Sequence, residues 1–221
     1  MRRRMIFADR DKAGLLLADR LAEMILPNAL VVALPRGGVP VGAQIARRLD
    51  APLDVAFVRK LGAPDEPELA IGAVADGDPP EIVLNAREVE ELNLNEDFIR
   101  SAVARELAAI EQRRRDYADV RPAAEFSGRT VIVVDDGVAT GMTMQAALRS
   151  IRRRGPVRLV AAVPAASLEA VAMLQEEADD LVCLSAPRRF GSVGSFYRAF
   201  RQVSDADVVG LLKAATARRG G

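Results

Sequence analysis

Short apolar runs alternating with helix-period segments predict an α/β fold. The expected form is a doubly wound, Rossmann-like parallel sheet with helices on both faces. Five runs carry the strands: "ALVVAL" (29–34), "LDVAFV" (53–58), "TVIVV" (130–134), "VRLVAAV" (157–163) and "DLVCL" (180–184). Between them, apolar residues recur at three- and four-residue spacing. Loops rich in Gly, Thr and charge follow several strands, at the strand ends where open α/β sheets bind ligands. A length of 221 residues suits one large domain with a cap.

Residues 9–26 read as a helix, with Ala13, Leu17 and Leu21 at four-residue spacing and Leu16, Met24 and Ile25 alongside. The first strand, 29–34, is broken by "RGG", after which Val41, Ile45 and Leu49 mark one helix face. The second strand, 53–58, runs into "RKLGAPDEPELAIGAVADGDPP", rich in Gly, Pro and charge; it reads as a long loop or irregular hairpin with one strand-like piece, "AIGAVA". In 86–118, Ile99, Val103, Leu107 and Ile110 form a narrow stripe among many charges, so a helix packed on one side, outside the main sheet, is expected. The strand 130–134 leads to a helix over 143–154, the strand 157–163 to a helix over 167–178, and the strand 180–184 to the loop "GSVGSFYRAF" (191–200). A terminal helix over 205–217 begins at "SD". The whole chain, 1–221, is read as a single domain with a helical insertion over about 86–120 and a C-terminal tail over about 186–221.

Composition narrows the function. The 31 acidic and 31 basic residues cancel, which argues against a general polyanion binder, so no nucleic-acid partner is expected. The absence of histidine excludes Ser-His-Asp catalysis and His-ligated metal sites. The single cysteine, Cys183, excludes an intrachain disulfide and reads as strand packing. The basic start "MRRRMIFADRDKAG" has no apolar run after it, and no apolar stretch approaches the ~20 residues of a membrane span. A cytoplasmic protein without a membrane partner is expected.

The stretch "VIVVDDGVATGMT" (131–143) carries the chemistry. Asp135 and Asp136 stand at the carboxyl end of a buried strand. Gly137 and Gly141 permit a tight turn into a helix, where successive amides and the Thr140 and Thr143 hydroxyls can face one anion. A phosphate cup with two carboxylates at its lip suits a sugar phosphate. Taken alone, two acids after a strand can equally be a helix cap and a solvated turn.

This stretch resembles the phosphoribosyl-diphosphate (PRPP) signature of the type I phosphoribosyltransferases. The resemblance implies that Asp135 and Asp136 hold the ribose 2′- and 3′-hydroxyls, and that Gly137, Val138, Ala139, Thr140, Gly141 and Thr143 line the ribose and 5′-phosphate site. "LPRGGVP" (34–40) resembles the diphosphate loop of the same family, most like its xanthine–guanine branch. It implies diphosphate binding by Arg36, Gly37 and Gly38, often with a cis peptide, here placed at Arg36–Gly37. Gly37 is further expected in a backbone state that other residues tolerate poorly. Arg59 and Lys60 in "VRKLGAP" (58–64) match the family's basic pair that reaches the diphosphate, with 62–80 as a mobile lid. The resemblance covers roughly 9–84 and 127–185, and the tail could serve as the hood over the base.

The implied reaction displaces diphosphate from C1′ of PRPP by a nitrogen acceptor, with Arg36, Arg59, Lys60, Asp135 and Asp136 as the catalytic set. Mg²⁺ is the implied cofactor, held mainly by ligand oxygens and water and touched by Asp135 and Asp136 only indirectly. The implied partners are PRPP, a small-molecule acceptor and a second copy in a homodimer. Where 6-oxopurine enzymes carry an Asp in the 5′-phosphate loop, this chain has Ala139. The loop is closer to adenine- or uracil-type members, in conflict with "RGG". Among the late aromatics Phe190, Phe196, Tyr197 and Phe200, stacking on a base competes with plain packing, which the i, i+4 spacing of Phe196 and Phe200 favours. Arg188 and Arg189 read as surface charges. Two other classes fit less well: a non-catalytic PRPP or nucleotide sensor on the same fold, and a phosphotransfer domain with an aspartate nucleophile.

Overall fold

A computed structural model describes residues 5–120 and 124–219. The first three arginines, Arg2, Arg3 and Arg4, and the last two residues of the expected single domain lie outside the described residues.

Helix α1 (Arg10–Ala22) starts at Asp9, whose carboxylate accepts from the Lys12 amide at 2.8 Å, a side-chain cap. Then come β1 (Ala29–Ala33), α2 (Gly38–Arg48) and β2 (Leu53–Val55). After an intervening segment the alternation resumes with β6 (Thr130–Val134), α5 (Met142–Arg152), β7 (Arg158–Ala165), α6 (Leu168–Glu177) and β8 (Asp180–Ser185). The five strands form a fully parallel sheet in the order β2-β1-β6-β7-β8. Strand alternation splits the core. Val31, Ile132, Val134, Val160 and Ala162 pack toward Leu17, Leu21, Val41 and Ile45 of α1 and α2. Leu30, Val32, Val131, Val133, Leu159 and Ala161 pack toward Leu148, Ile151 and Leu174 of α5 and α6. The sheet is doubly wound as expected. Its order reverses between β1 and β6, and that is where such sheets open a ligand crevice.

The expected second strand over 53–58 is two strands instead. β2 ends at Val55, with a last ladder bond from the Ala56 amide to the Ala33 carbonyl, and Phe57, 4% exposed, enters a different core. Beyond it, β3 (Val58–Gly62), β4 (Ala70–Ala75) and β5 (Glu81–Leu84) form a separate antiparallel sheet, with a register break at Leu61/Gly62. The irregular-hairpin alternative therefore holds for this stretch, and β5 is an element the sequence did not announce. β4 is small-residue rich because it is central: a Cβ on Gly72 would lie 2.3 Å from the Val83 carbonyl.

The insertion is a pair of helices, α3 (Ala86–Glu91) and α4 (Glu96–Tyr117), capped by Asn85 and Asn95, followed by a 3₁₀ turn at Ala118–Val120. As expected, α4 is buried along one side only. Ala102, Ile110 and Tyr117 join Phe57, Leu61, Ile71 and Val74, and the C-terminal helix α7 (Asp205–Arg219) closes this cluster with Val208 and Leu212. Insertion and tail thus share one core, which meets the edge of the main sheet through Ala33 and Val55. Among the described residues no helix is long and apolar enough to cross a membrane. Cys183 lies in β8, partly buried.

Candidate functional site

The two loops singled out by the sequence meet at the switch point of the sheet. Asp135 and Asp136 follow β6, and the "RGG" loop follows β1 beside it. The approach is so close that only glycine fits. A Cβ on Gly37 would lie 2.1 Å from Asp136 Oδ2, and one on Gly38 would lie 2.6 Å from the Val134 carbonyl. The expectation for Gly37 needs correction. Its backbone is ordinary and helical (φ −62°, ψ −34°), and the requirement for glycine comes from the carboxylate packed against it. The cis peptide also lies one bond earlier than expected, at Pro35–Arg36 rather than Arg36–Gly37.

The cup after the acidic pair is partly as expected. Gly141 has φ +88°, the left-handed state that favours glycine, and it starts α5, whose first turn carries no acid. No hydrogen bond within the described residues uses the amides of Ala139, Thr140 or Gly141. Those amides, with the hydroxyls of Thr140 and Thr143, stand at a helix N-terminus. Val138 is different: it is buried and its amide donates to the Ala165 carbonyl at 2.9 Å, so it props the loop against β7. Gly137 is buried against Val193, which a Cβ would approach to 2.6 Å.

The acidic pair is held from both ends of the chain. Arg10 Nε donates to Asp136 Oδ2 at 2.7 Å, and Arg10 Nη1 to the Arg201 carbonyl at 2.7 Å. The Tyr197 hydroxyl donates to the Asp136 carbonyl. Asp135 Oδ1 accepts from the Asp136 amide at 2.8 Å. Burial pushes the Asp135 carboxyl well above its ordinary value, and the Asp136 charge adds to this. Burial raises Asp136 as well, opposed by the Arg10 guanidinium, so Asp136 is the more readily ionised of the two. Burial, with the Asp136 charge, raises the Tyr197 hydroxyl too, which keeps it a donor.

Six of the expected site residues line two cavities beside the "RGG" loop, while Gly38, Asp135 and 137–141 line neither. One, of about 420 Å³, is lined by Arg10, Arg36, Gly37, Asp136, Phe200 and Gln202, among others. The other, of about 710 Å³, brings Arg59, Lys60 and Thr143 together with Pro35. Each expected cation has a carboxylate partner: Arg36 with Asp205 at 3.4 Å, Arg59 with Glu106 at 2.9 Å and Lys60 with Glu68 at 3.1 Å. Arg59 and Lys60 belong to β3 of the antiparallel sheet, not to the end of the second parallel strand.

Of the late aromatics, Phe190 and Phe196 are buried packing residues, beside Phe7 and Ala13. Their setting is a 3₁₀ turn (Val193–Phe196) followed by extended chain, so the i, i+4 helical reading fails. Phe200 is 42% exposed at the smaller cavity, with the Arg10 guanidinium 3.9 Å from its ring centroid. Three participants escaped the sequence reading: Arg10, Arg113 and Asp205. Asp205 gathers Arg36, Arg113 (3.6 Å) and the Tyr117 hydroxyl (2.5 Å).

No group of three or more His, Cys, Asp or Glu side chains that could hold a metal occurs among the described residues. Two carboxylates, one already bound to Arg10, are too few for a protein-built cage. They do fit a Mg²⁺ that takes most of its oxygens from a ligand and water.

A crevice with an acidic pair and a glycine-rich loop at the switch point of a doubly wound sheet defines the class, and sequence comparison supplies the family. The phosphoribosyl transferase domain model matches residues 10–197, and the chain belongs to that family. It is 45% identical to TT1426 of Thermus thermophilus, a solved structure, with a TM-score of 0.79 over 95% of this chain and 99% of that one. It is 41% identical over 207 residues to a Mycobacterium tuberculosis protein named "Putative phosphoribosyl transferase", covering 94% of this chain and 46% of the relative. The chain thus spans about half the length of the curated relatives it matches. AQ2163 of Aquifex aeolicus shares the fold at 14% identity, with a TM-score of 0.51 over 86% of this chain and 85% of that one.

Proposed function

We propose that this chain transfers the 5-phosphoribosyl group of PRPP to a nitrogen acceptor, with release of diphosphate. The observation that supports it best is the contact of the two loops: Gly37 lies against Asp136 with no room for a Cβ. A ligand held by the acidic pair at its ribose is then within reach of the "RGG" loop at its anomeric side. Asp135 and Asp136 accept from the 2′- and 3′-hydroxyls. Arg10 occupies Oδ2 of Asp136 and the Asp136 amide occupies Oδ1 of Asp135; the two side chains also hydrogen-bond each other, a contact that the ribose hydroxyls would take over.

The amides of Ala139, Thr140 and Gly141 and the Thr140 and Thr143 hydroxyls take the 5′-phosphate; Gly137 and Val138 shape that loop from behind. Arg36, Arg59 and Lys60 face the diphosphate, with Gly37 and Gly38 letting the backbone approach. These cations steady charge that builds on the leaving group as the bond to C1′ weakens. When bound, Mg²⁺ would add positive charge on the diphosphate oxygens, near Asp135 and Asp136. The 420 Å³ cavity beside Phe200 is the place for the acceptor, where an aromatic face can stack on a planar ring.

The test is diphosphate release from PRPP with Mg²⁺ across a panel of free bases and small amines. Turnover with at least one acceptor supports the transfer. Tight PRPP binding with no turnover on any acceptor would favour a sensor instead.

A further inference from the structure

The insertion helix α4 forms a wall of the 710 Å³ cavity. Phe98, Arg105, Glu106 and Arg113 line it from α4; Arg59 and Lys60 line it from β3; Pro35 and Thr143 line it from the two ligand loops. The α4 residues recur at seven-residue spacing, 98 to 105 and 106 to 113, which puts them on one helix face. Other arginines of α4 are spent elsewhere: Arg100 on Asp97, Arg114 on Asp76 and Glu111, and Arg115 on Glu111. Arg105 and Arg113 are the ones turned to the cavity.

The charge of this lining is lopsided. Arg59, Lys60, Arg105 and Arg113 line the cavity with one carboxylate, Glu106, which is shared between Arg59 at 2.9 Å and Arg105 at 3.2 Å; Lys60 is met from outside the lining by Glu68, 3.1 Å away. Arg113 Nε lies 3.6 Å from Asp205, beyond hydrogen-bond distance, and Asp205 is shared with Arg36 at 3.4 Å. A guanidinium has five N–H donors, so most of its donor capacity stays open. A cleft with surplus positive charge and partly engaged guanidinium groups suits a polyanion with several oxygens.

We infer that Arg113 and Arg105 of the insertion helix contact the diphosphate end of the substrate, beside Arg59 and Lys60. The identity of the anion rests on the PRPP reading above; the role of α4 rests on the cavity. The insertion then supplies donors that neither ligand loop contains.

The experiment is calorimetric binding of inorganic diphosphate, PRPP and ribose 5-phosphate to the full chain and to Arg113→Gln and Arg105→Gln. Each variant should bind diphosphate and PRPP about tenfold or more weakly, the scale of one lost charge-assisted hydrogen bond. Ribose 5-phosphate, which lacks the diphosphate, should bind as to the unaltered chain. Arg113→Gln also loosens Asp205, so Arg105→Gln, which leaves Asp205 untouched, is the decisive variant if the first melts early. Unchanged diphosphate affinity in Arg105→Gln overturns the assignment. So does an equal loss of ribose 5-phosphate affinity, or an unaltered chain that binds no diphosphate. If the unaltered chain binds diphosphate but neither PRPP nor ribose 5-phosphate, and the variants lose diphosphate, the α4 assignment stands and the PRPP reading falls.

Discussion

Replacing Gly37 by alanine tests the contact on which the proposed function leans. The added Cβ would start 2.1 Å from Asp136 Oδ2, so that oxygen must retreat by about 0.9 Å merely to reach 3.0 Å. A carboxylate free in solvent would swing aside. This one is 13% exposed and tied to Arg10 at 2.7 Å, and a movement of that size along the bond takes the pair beyond hydrogen-bonding range. A hydrogen bond to a charged group contributes about 1.5–3 kcal/mol. For a chain of this size that corresponds to a melting point lowered by about 3–12 °C. The same displacement shifts the whole Asp136 carboxylate, the group proposed to accept from a ribose hydroxyl, so PRPP affinity should fall about 10- to 100-fold, while inorganic diphosphate, which has no ribose, should fall much less. Calorimetry with both ligands and a thermal melt measure this. Gly38→Ala is the contrast, because its Cβ meets the Val134 carbonyl, a backbone atom that cannot rotate away, so stability should suffer more than selectivity. If Gly37→Ala binds PRPP as the unaltered chain does, the loop contact has no part in ribose recognition.

Three further outcomes are expected. Asp135→Asn with Asp136→Asn should abolish PRPP binding while circular dichroism shows an intact fold; unchanged affinity would remove the ribose assignment. Asp135→Asn alone should raise the melting point at neutral pH, because burial and the Asp136 charge raise its carboxyl above the unfolded value. A raised carboxyl destabilises the fold above its folded pKa and not below the unfolded value of about 4, so the gain should fade as pH falls toward 4; a gain that persists there contradicts the cause. Guanine and hypoxanthine should be poor acceptors, since Ala139 offers no carboxyl where 6-oxopurine enzymes place one; comparison of kcat/KM across bases decides, and efficient guanine turnover would overturn it.

The alternating parallel sheet was legible because strands buried on both faces announce themselves as short branched apolar runs. The acidic pair and the "RGG" loop were legible because glycines and carboxylates at strand ends are local features. What was hidden is long-range. Arg10 reads as an ordinary helix-start charge, and its partner lies 126 positions away. Arg113 and Asp205 are similarly remote from each other in sequence, and nothing local marks either. The separate antiparallel sheet was obscured by its own packing, since Ala73 and Ala75 are small to fit against Met142 and Ala146 of α5 rather than to make a loop. The Gly37 expectation was right about intolerance and wrong about origin: a backbone reason was assigned where a neighbouring side chain supplies it. Phe196 packs as favoured, though not for the helical reason given, because a spacing of four carries a helical meaning only inside a helix.

The clasp around Asp136 also has a bearing on biosynthesis. Phe7 donates its amide to the Phe196 carbonyl and accepts from the Arg198 amide, and the Ala199 amide reaches the Ala8 carbonyl, so the start and the tail of the chain are stitched side by side over the acidic pair. The strand bearing that pair, β6, is made after its sheet partner β1 and before its other partner β7, but Tyr197 and Phe200 arrive some sixty residues later. A chain stalled near residue 186 would therefore own every strand and both ligand loops while its acidic pair lay open, with Arg10 lacking the Arg201 carbonyl that steadies it. Closure over the acidic pair therefore waits for residues 197–201, well after both ligand loops have been made.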